Sequence, residues 1–133
     1  MDSESVRAHC LSFPHATENV QWGNDLVFKI SGKMFAVMAL EGPVKYIMSF
    51  KCTDEKFNEL TEQEGLDPAP YMARNKWVAI ERFDVLTDKE LKGLLRNSYD
   101  LVFEKLPKKV REQLGAPPSP ATRPRRAAAK KRR

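Results

Sequence analysis

The sequence has few of the residues that build most metal and nucleophilic sites. It contains two cysteines and two histidines, and neither His9 nor His15 stands at metal-ligand spacing from Cys10 or Cys52. The run SGK at residues 31–33 lacks the upstream glycine of a P-loop, and no G-x-S-x-G motif occurs. We therefore expect no enzymatic activity, no catalytic residue, no cofactor and no metal.

Long apolar runs are also missing. The longest, residues 34–40, falls far short of the ~20 residues that a membrane helix needs. The first ten residues, MDSESVRAHC, carry acids rather than the basic start of a secretory signal. Two cysteines far apart in sequence give no disulfide framework and suit a reducing compartment. The sequence thus predicts a cytoplasmic protein with no membrane partner, and a monomer is the favoured state.

The positive charge is concentrated at one end of the chain. The formal net charge is +5, and the pI is 9.3. Seven of the 23 basic residues and none of the 18 acidic ones fall in residues 116–133, so residues 1–115 are slightly negative. With 133 residues and 41% hydrophobic content, the chain predicts one domain that buries about two thirds of its unfolded surface. We assign that domain to residues 1–115.

Residues 116–133 (APPSPATRPRRAAAKKRR) predict a disordered tail, because they include no aromatic residue and no aliphatic residue larger than alanine. Such an arm binds polyphosphates by counterion release, without reading sequence. Its candidate nucleic-acid contacts are Arg123, Arg125, Arg126, Lys130, Lys131, Arg132 and Arg133. A merely solubilising tail and a signal for an import receptor are the alternatives.

Residues 26–52 predict three consecutive strands. Residues 27–30 are β-branched or aromatic apart from one lysine, and a Ser-Gly pair follows as a hairpin turn. The apolar run 34–40 is typical of a central strand, and residues 41–43 form the second turn. The third strand has one buried face and one outer face. The buried face carries Tyr46, Met48, Phe50 and Cys52. The outer face carries Lys45, Ile47, Ser49 and Lys51.

Helices and one further strand complete the predicted domain. We expect a helix over residues 3–13 with Ser3 as its N-cap, then a polar loop over 15–25. Thr53 or Asp54 caps a second helix that runs to residue 63, and residues 66–70 form an extended connector. Residues 77–82 predict a strand.

The last long helix carries the clearest local signal. Thr87 and Glu90 form a capping box, and an apolar stripe at helical spacing continues to Leu106. Pro107 starts a short additional turn over residues 108–114. The order of elements predicts an α+β fold, in which helices cover one face of a mainly antiparallel sheet.

Several segments together resemble the MmcQ/YjbR-like proteins. They are FPHATENVQWGND, VFKISGKMFA, SFKC, DPAPYMARNKWV and SYDLVFEKLPKKVREQL, and the resemblance runs from about residue 3 to residue 114. It implies a small bacterial α+β domain with a CyaY-like (frataxin-like) or double-wing fold. Such domains are commonly labelled DNA-binding because of that fold, and a shared fold does not fix function.

A DNA-binding domain of this kind would use its sheet or wings. The body residues that we predict to contact phosphates are Lys29, Lys33, Lys45, Lys51, Arg74 and Lys76. Trp22 or Trp77 could stack on unpaired bases if exposed, although Trp77 fits a core position better. No basic recognition helix is evident, which argues against helix-turn-helix docking.

Other readings of the same residues remain open. The lysines of the third strand could simply keep an outer sheet face soluble. Iron binding, which the frataxin-like fold raises, would need an acidic ridge, and the first helix offers only Glu4 and Asp2. A protein-interaction adaptor is the principal alternative, and its sign would be an exposed apolar patch around Ile47 and Trp77.

Overall fold

The structure, a computed structural model, describes residues 1–70 and 73–115. The predicted disordered tail, with all seven of its basic residues, lies outside the described residues. The elements in chain order are α1 (Ser3–Leu11), β1 (Ala16–Gln21), β2 (Asp25–Ile30), β3 (Lys33–Ala39), β4 (Met48–Lys51), α2 (Asp54–Leu60), β5 (Leu66–Pro68), β6 (Trp77–Ile80), α3 (Asp88–Glu104) and α4 (Lys108–Leu114). Short 3₁₀ turns at Ala73–Asn75 and Phe83–Val85 precede β6 and α3. Among these described helices, none is long and apolar enough to cross a membrane.

Six strands form one antiparallel sheet in the order β1-β2-β3-β4-β6-β5. The main core lies between one face of this sheet and the helices, and α3 packs against β2, β3 and β4. The apolar stripe of α3, from Leu91 to Phe103, is buried, as the periodicity predicts. Cys10 and Cys52 lie in this core, where burial raises the pKa of each thiol to about 12. The predicted α+β class is confirmed.

The two outer strands differ from what the sequence predicts. β1 falls in the predicted polar loop, and β5 falls in the predicted connector. As an edge strand, β1 carries polar residues on both faces, so its alternation is weak; Glu18, for example, pairs with Arg7 of α1. β1 pairs with β2 over all six of its residues without a bulge. β5 has three residues and ends at Pro68, which has no backbone N–H to donate.

A β-bulge places two neighbouring side chains of β3 in the main core. Phe28 pairs with Ala36 and Lys29 pairs with Met34, so Phe35 is the extra residue. Phe35 and Ala36 are both fully buried in that core. The bulge therefore explains why the apolar run of β3 does not alternate.

A buried hydroxyl joins β3 to β4 where their ladder stops. The last pair of that ladder is Ala36 with Phe50. One residue further on, Ser98 Oγ of α3 donates to Phe35 O at 2.6 Å and accepts from Lys51 N at 3.0 Å. Among the described residues, Ser98 is the one polar side chain in the buried class. It satisfies two backbone groups that the strands no longer satisfy for each other.

Helix boundaries differ slightly from the predictions. Asp2, and not Ser3, is the N-cap of α1, and it forms a capping box with Ser5. α1 ends at Leu11 and α2 ends at Leu60, two and three residues earlier than predicted. The predicted cap of α2 at Thr53 and the predicted box of Thr87 with Glu90 are present.

Replacing Gly65 with alanine is expected to lower the free energy of unfolding by about 1–3 kcal/mol. Gly65 has a φ of +89°, and an added Cβ would lie 2.6 Å from Val85 Cγ1. Chemical denaturation measures the change. Gly93→Ala is the matched control, since its Cβ would meet nothing within 4 Å inside α3, and this change should stabilise the protein by about 0.5–1 kcal/mol. Equal shifts in the two variants would contradict this explanation.

Candidate nucleic-acid interface

Strand register brings five of the six predicted body cations to one end of the sheet. Lys29 is the next-to-last residue of β2, and Lys33 begins β3 opposite Ile30. Lys51 closes β4 and pairs with Trp77, the first residue of β6. Arg74 and Lys76 lead directly into β6. We call this set, Lys29, Lys33, Lys51, Arg74 and Lys76, the basic end.

Lys51 is held more tightly than the outer, solvated lysine that the sequence predicts at this position. It is half-buried, and its Nζ donates to Asn75 O at 2.8 Å. Burial lowers the pKa of Lys51, and the nearby positive charge of Lys105 lowers it further, while Asp54 raises it. Lys51 therefore ties β4 to the 3₁₀ turn before β6 and is a poorer phosphate ligand than a free lysine.

The other members of the basic end are more available. Arg74 and Lys33 are exposed, and Lys29 is half-buried. Lys76, with a positive φ of 64°, holds its Nζ 5.0 Å from the centre of the Phe57 ring. Across residues 1–70 and 73–115, none of Lys29, Lys33 and Arg74 takes part in an ion pair. These three cations can therefore bind a phosphate without first breaking an ion pair with a carboxylate.

The structure places Lys45 away from this set. β4 begins at Met48, so Lys45 lies in the β3–β4 connection at the opposite end of the sheet. Its Nζ stands 5.4 Å from the centre of the Tyr46 ring. The predicted alternation holds from Met48 to Cys52 and is wrong before it, because Ile47 packs on the main core and Tyr46 packs on the other face. Lys45 is therefore not part of the same surface.

Neither tryptophan is available to stack on bases at the basic end. Trp77 is buried in a small cluster with Ala69 and Ala79 on the sheet face opposite the main core. Trp22 is 66% exposed, but it lies in the β1–β2 turn at the far end of the sheet. The predicted apolar patch around Ile47 and Trp77 is also wrong, because Trp77 is buried and Ile47 is half-buried against the core.

One cation near the basic end was not identified from the sequence. Lys105 follows the last residue of α3 and is close enough to Lys51 to lower its pKa. The sequence offered a sign of Lys105, since cations favour the negative end of a helix dipole, but it did not show which strand that helix end would meet.

The described part of the chain ends close to the basic end. His15 Nε2 lies 2.9 Å from Leu114 O, which joins the last residue of α4 to the start of β1. The first pair of β1 is Ala16 with Ile30, and Ile30 pairs in turn with Lys33. Residues 116–133 therefore continue from the same end of the sheet that carries Lys29 and Lys33.

Metal binding has no comparable support in the described residues. Within residues 1–70 and 73–115, no three histidine, cysteine, aspartate or glutamate side chains lie together so that they could hold a metal ion. The capping hydrogen bonds from Ser5 lower the pKa of the Asp2 carboxyl, which identifies this acid as a helix cap. The arrangement that stands out is thus the cationic one.

Comparisons with known proteins agree with this fold. A family model described as YjbR matches residues 11–101. The crystal structure of Deinococcus radiodurans protein DR2400, a DUF419 domain, has a TM-score of 0.74 and 27% identity, over 84% of this chain and 86% of that one. A Pseudomonas syringae protein has a TM-score of 0.62 over 76% of this chain and 98% of that one, and its 19% identity shows the fold alone. Among curated proteins, none matches.

Proposed function

We propose, because the chain belongs to the YjbR family, that it binds DNA through phosphate contacts without reading base sequence. Resemblance to that family implies DNA binding. The basic tail supplies most of the affinity, and the basic end of the sheet adds a second, weaker set of contacts. This division follows from charge, since residues 1–115 are slightly negative while residues 116–133 hold seven cations and no acid.

The observation that carries the proposal is that the described part of the chain ends beside the basic end. Lys29 and Lys33 lie at the sheet end where β1 begins, and Leu114 is held there by His15. Residues 116–133 follow from this point in the sequence, so one duplex can meet both sets of cations.

The charges of the basic end suit contacts with a phosphate backbone. Lys29, Lys33 and Arg74 lie at one end of the sheet, and none of them takes part in an ion pair within the described residues. Lysine and arginine that contact phosphates fix the register of a protein on DNA without discriminating between bases.

The test measures DNA binding by the full-length protein, using fluorescence anisotropy across a salt series. The salt slope falls by about 0.9 for each phosphate contact that is lost. Gln replacement of the seven tail cations should therefore lower the slope by up to about 6. Gln replacement of Lys29, Lys33 and Arg74 should lower it by up to about 2.7.

The matched control removes the same charge elsewhere. Lys45, Lys89 and Lys92 are exposed and lie away from the basic end, so their replacement by Gln should leave the slope nearly unchanged. Equal slopes for this control and the basic-end variant would refute a role for the folded domain. Failure of the wild type to bind duplex DNA at low salt would refute the whole proposal and would leave the adaptor role as the better account.

A further inference from the structure

The most exposed large apolar side chains of the described residues gather at the end of the sheet opposite the basic end. Their exposed fractions are 56% for Val20, 66% for Trp22, 46% for Leu40 and 46% for Val44. We call these four residues the apolar tip. Single exposed apolar residues are ordinary on soluble proteins, whereas a group of them in one place marks an interaction site.

Backbone contacts join the two loops that carry these residues. Val20 pairs with Leu26 near the end of the β1–β2 hairpin, and Trp22 stands in its turn. Asp25 at the base of that turn pairs with Ala39, and Leu40 N donates to Asn24 O at 2.9 Å. The β3–β4 connection that carries Val44 starts directly after Leu40. The tip is thus built from two adjacent loops fixed by hydrogen bonds.

The fold itself gives no reason for a tryptophan at position 22. Trp22 has a φ of 52°, in the left-handed region, which is unfavourable for a bulky side chain and favours glycine or asparagine. Because the ring is mostly exposed, burial does not compensate for this conformation. The hairpin turn accounts for the positive φ, as it does at Ser31 in the next turn, but not for an exposed aromatic ring at this position, and that ring suits a role in binding.

Charge next to the tip selects the kind of partner. Asp25 and Glu41 flank the exposed apolar side chains, and Glu64 and Glu81 continue the negative charge along the same end of the sheet. Lys45 lies beside the tip with its Nζ against the Tyr46 ring, and Arg82, next to Glu81, is paired with Asp84. DNA and anionic lipid surfaces are repelled by such a balance, whereas a positively charged apolar segment is attracted.

We propose that the apolar tip binds a peptide segment of a protein partner that combines large hydrophobic residues with lysine or arginine. The proposal stands independently of DNA binding, because it uses the opposite end of the sheet. If both hold, the domain joins a nucleic acid at one end to a protein at the other. The chain's own tail is not the segment described, since it has no apolar residue larger than alanine or proline.

The two tryptophans make the first measurement direct. Trp22 is exposed and Trp77 is 4% exposed, so a ligand that covers the tip shifts the emission of Trp22 to shorter wavelength while that of Trp77 stays constant. The probes are three synthetic peptides added to the full-length protein. One alternates lysine and leucine, one has glutamate in place of each lysine, and one has serine in place of each leucine. We expect a blue shift with the first peptide alone.

Variants identify the surface, with fluorescein-labelled lysine/leucine peptide as the ligand. Trp22→Asn removes the ring and suits the positive φ, so it should weaken binding by about tenfold without unfolding the protein. Glu41→Lys should weaken binding by about threefold or more, while Glu55→Lys, an equal charge change at exposed α2, should not. Trp22→Asn should leave the DNA salt slope unchanged, which separates this proposal from DNA binding.

Three results would overturn the proposal. The first is equal affinity for the lysine/leucine and glutamate/leucine peptides, which would remove the charge argument. The second is equal affinity of the wild type and Trp22→Asn for the lysine/leucine peptide, which would place binding elsewhere. The third is a concentration-dependent blue shift without peptide, together with a doubled mass in sedimentation, which would show that a second copy of the chain occupies the tip.

Discussion

Replacing Ser98 with alanine is expected to lower the free energy of unfolding by about 2–4 kcal/mol. The hydroxyl joins Phe35 O and Lys51 N at the point where β3 and β4 separate. Without it, the buried carbonyl of Phe35 and the part-buried N–H of Lys51 are left without their hydrogen-bond partner. Each unsatisfied group costs about 1–3 kcal/mol, far more than the small gain in helix propensity from alanine.

Urea denaturation of the full-length protein measures this effect. Asn97→Ala is the control, because Asn97 is the preceding residue of α3 and borders the groove between α2 and α3 instead of the sheet; we expect a change within about 0.5 kcal/mol. If Ser98→Ala were as mild as this control, the two strands would have to satisfy these groups by themselves. Hydrogen exchange at the Lys51 amide should rise in the Ser98 variant, which locates the loss.

Replacing Phe35 with alanine is expected to lower the free energy of unfolding by about 3–5 kcal/mol. The bulge in β3 points this ring into the middle of the main core, where its centroid lies 5.5 Å from that of Tyr99 and 5.8 Å from that of Phe13. Truncation removes these contacts and leaves a cavity. Since a domain is stable by only about 5–15 kcal/mol, the variant should lose a large part of its stability.

Thermal unfolding followed by circular dichroism tests this prediction. Leu40→Ala removes a similar apolar volume one residue beyond β3, where the side chain is 46% exposed, and we expect it to cost less than about 1 kcal/mol. If the Phe35→Ala variant unfolds at the same temperature as the Leu40→Ala control, the bulge does not direct the ring into the core.

Strong local signals predicted most of the helical structure. α3 could be identified from the sequence because its capping residues and its apolar stripe agree with each other. β1 could not, because an edge strand needs no continuous apolar face and its six residues are largely polar. The change of face at Tyr46 and Ile47 was also out of reach, since an irregular connection follows no period.

The sequence predicted which types of residue form the candidate sites but not where those residues lie in the fold. The sequence identified Lys29, Lys33 and Arg74 as possible phosphate ligands, but only the pairing of β4 with β6 shows that Arg74 lies at the same end as the other two. The start of β4 at Met48 separates Lys45 from them. The apolar tip depends on contacts between two loops, and a single sequence gives no sign of such contacts.

The unlike borders of the sheet limit how copies of this chain could associate through their backbones. β1 presents six regularly paired residues without proline or a bulge, whereas β5 is three residues long and ends in Pro68. An edge of the first kind can accept another strand, and one of the second kind resists it. Association by strand addition would therefore consume β1 on both copies and stop at two. A chain with one competent border can form a closed pair but cannot propagate a fibre.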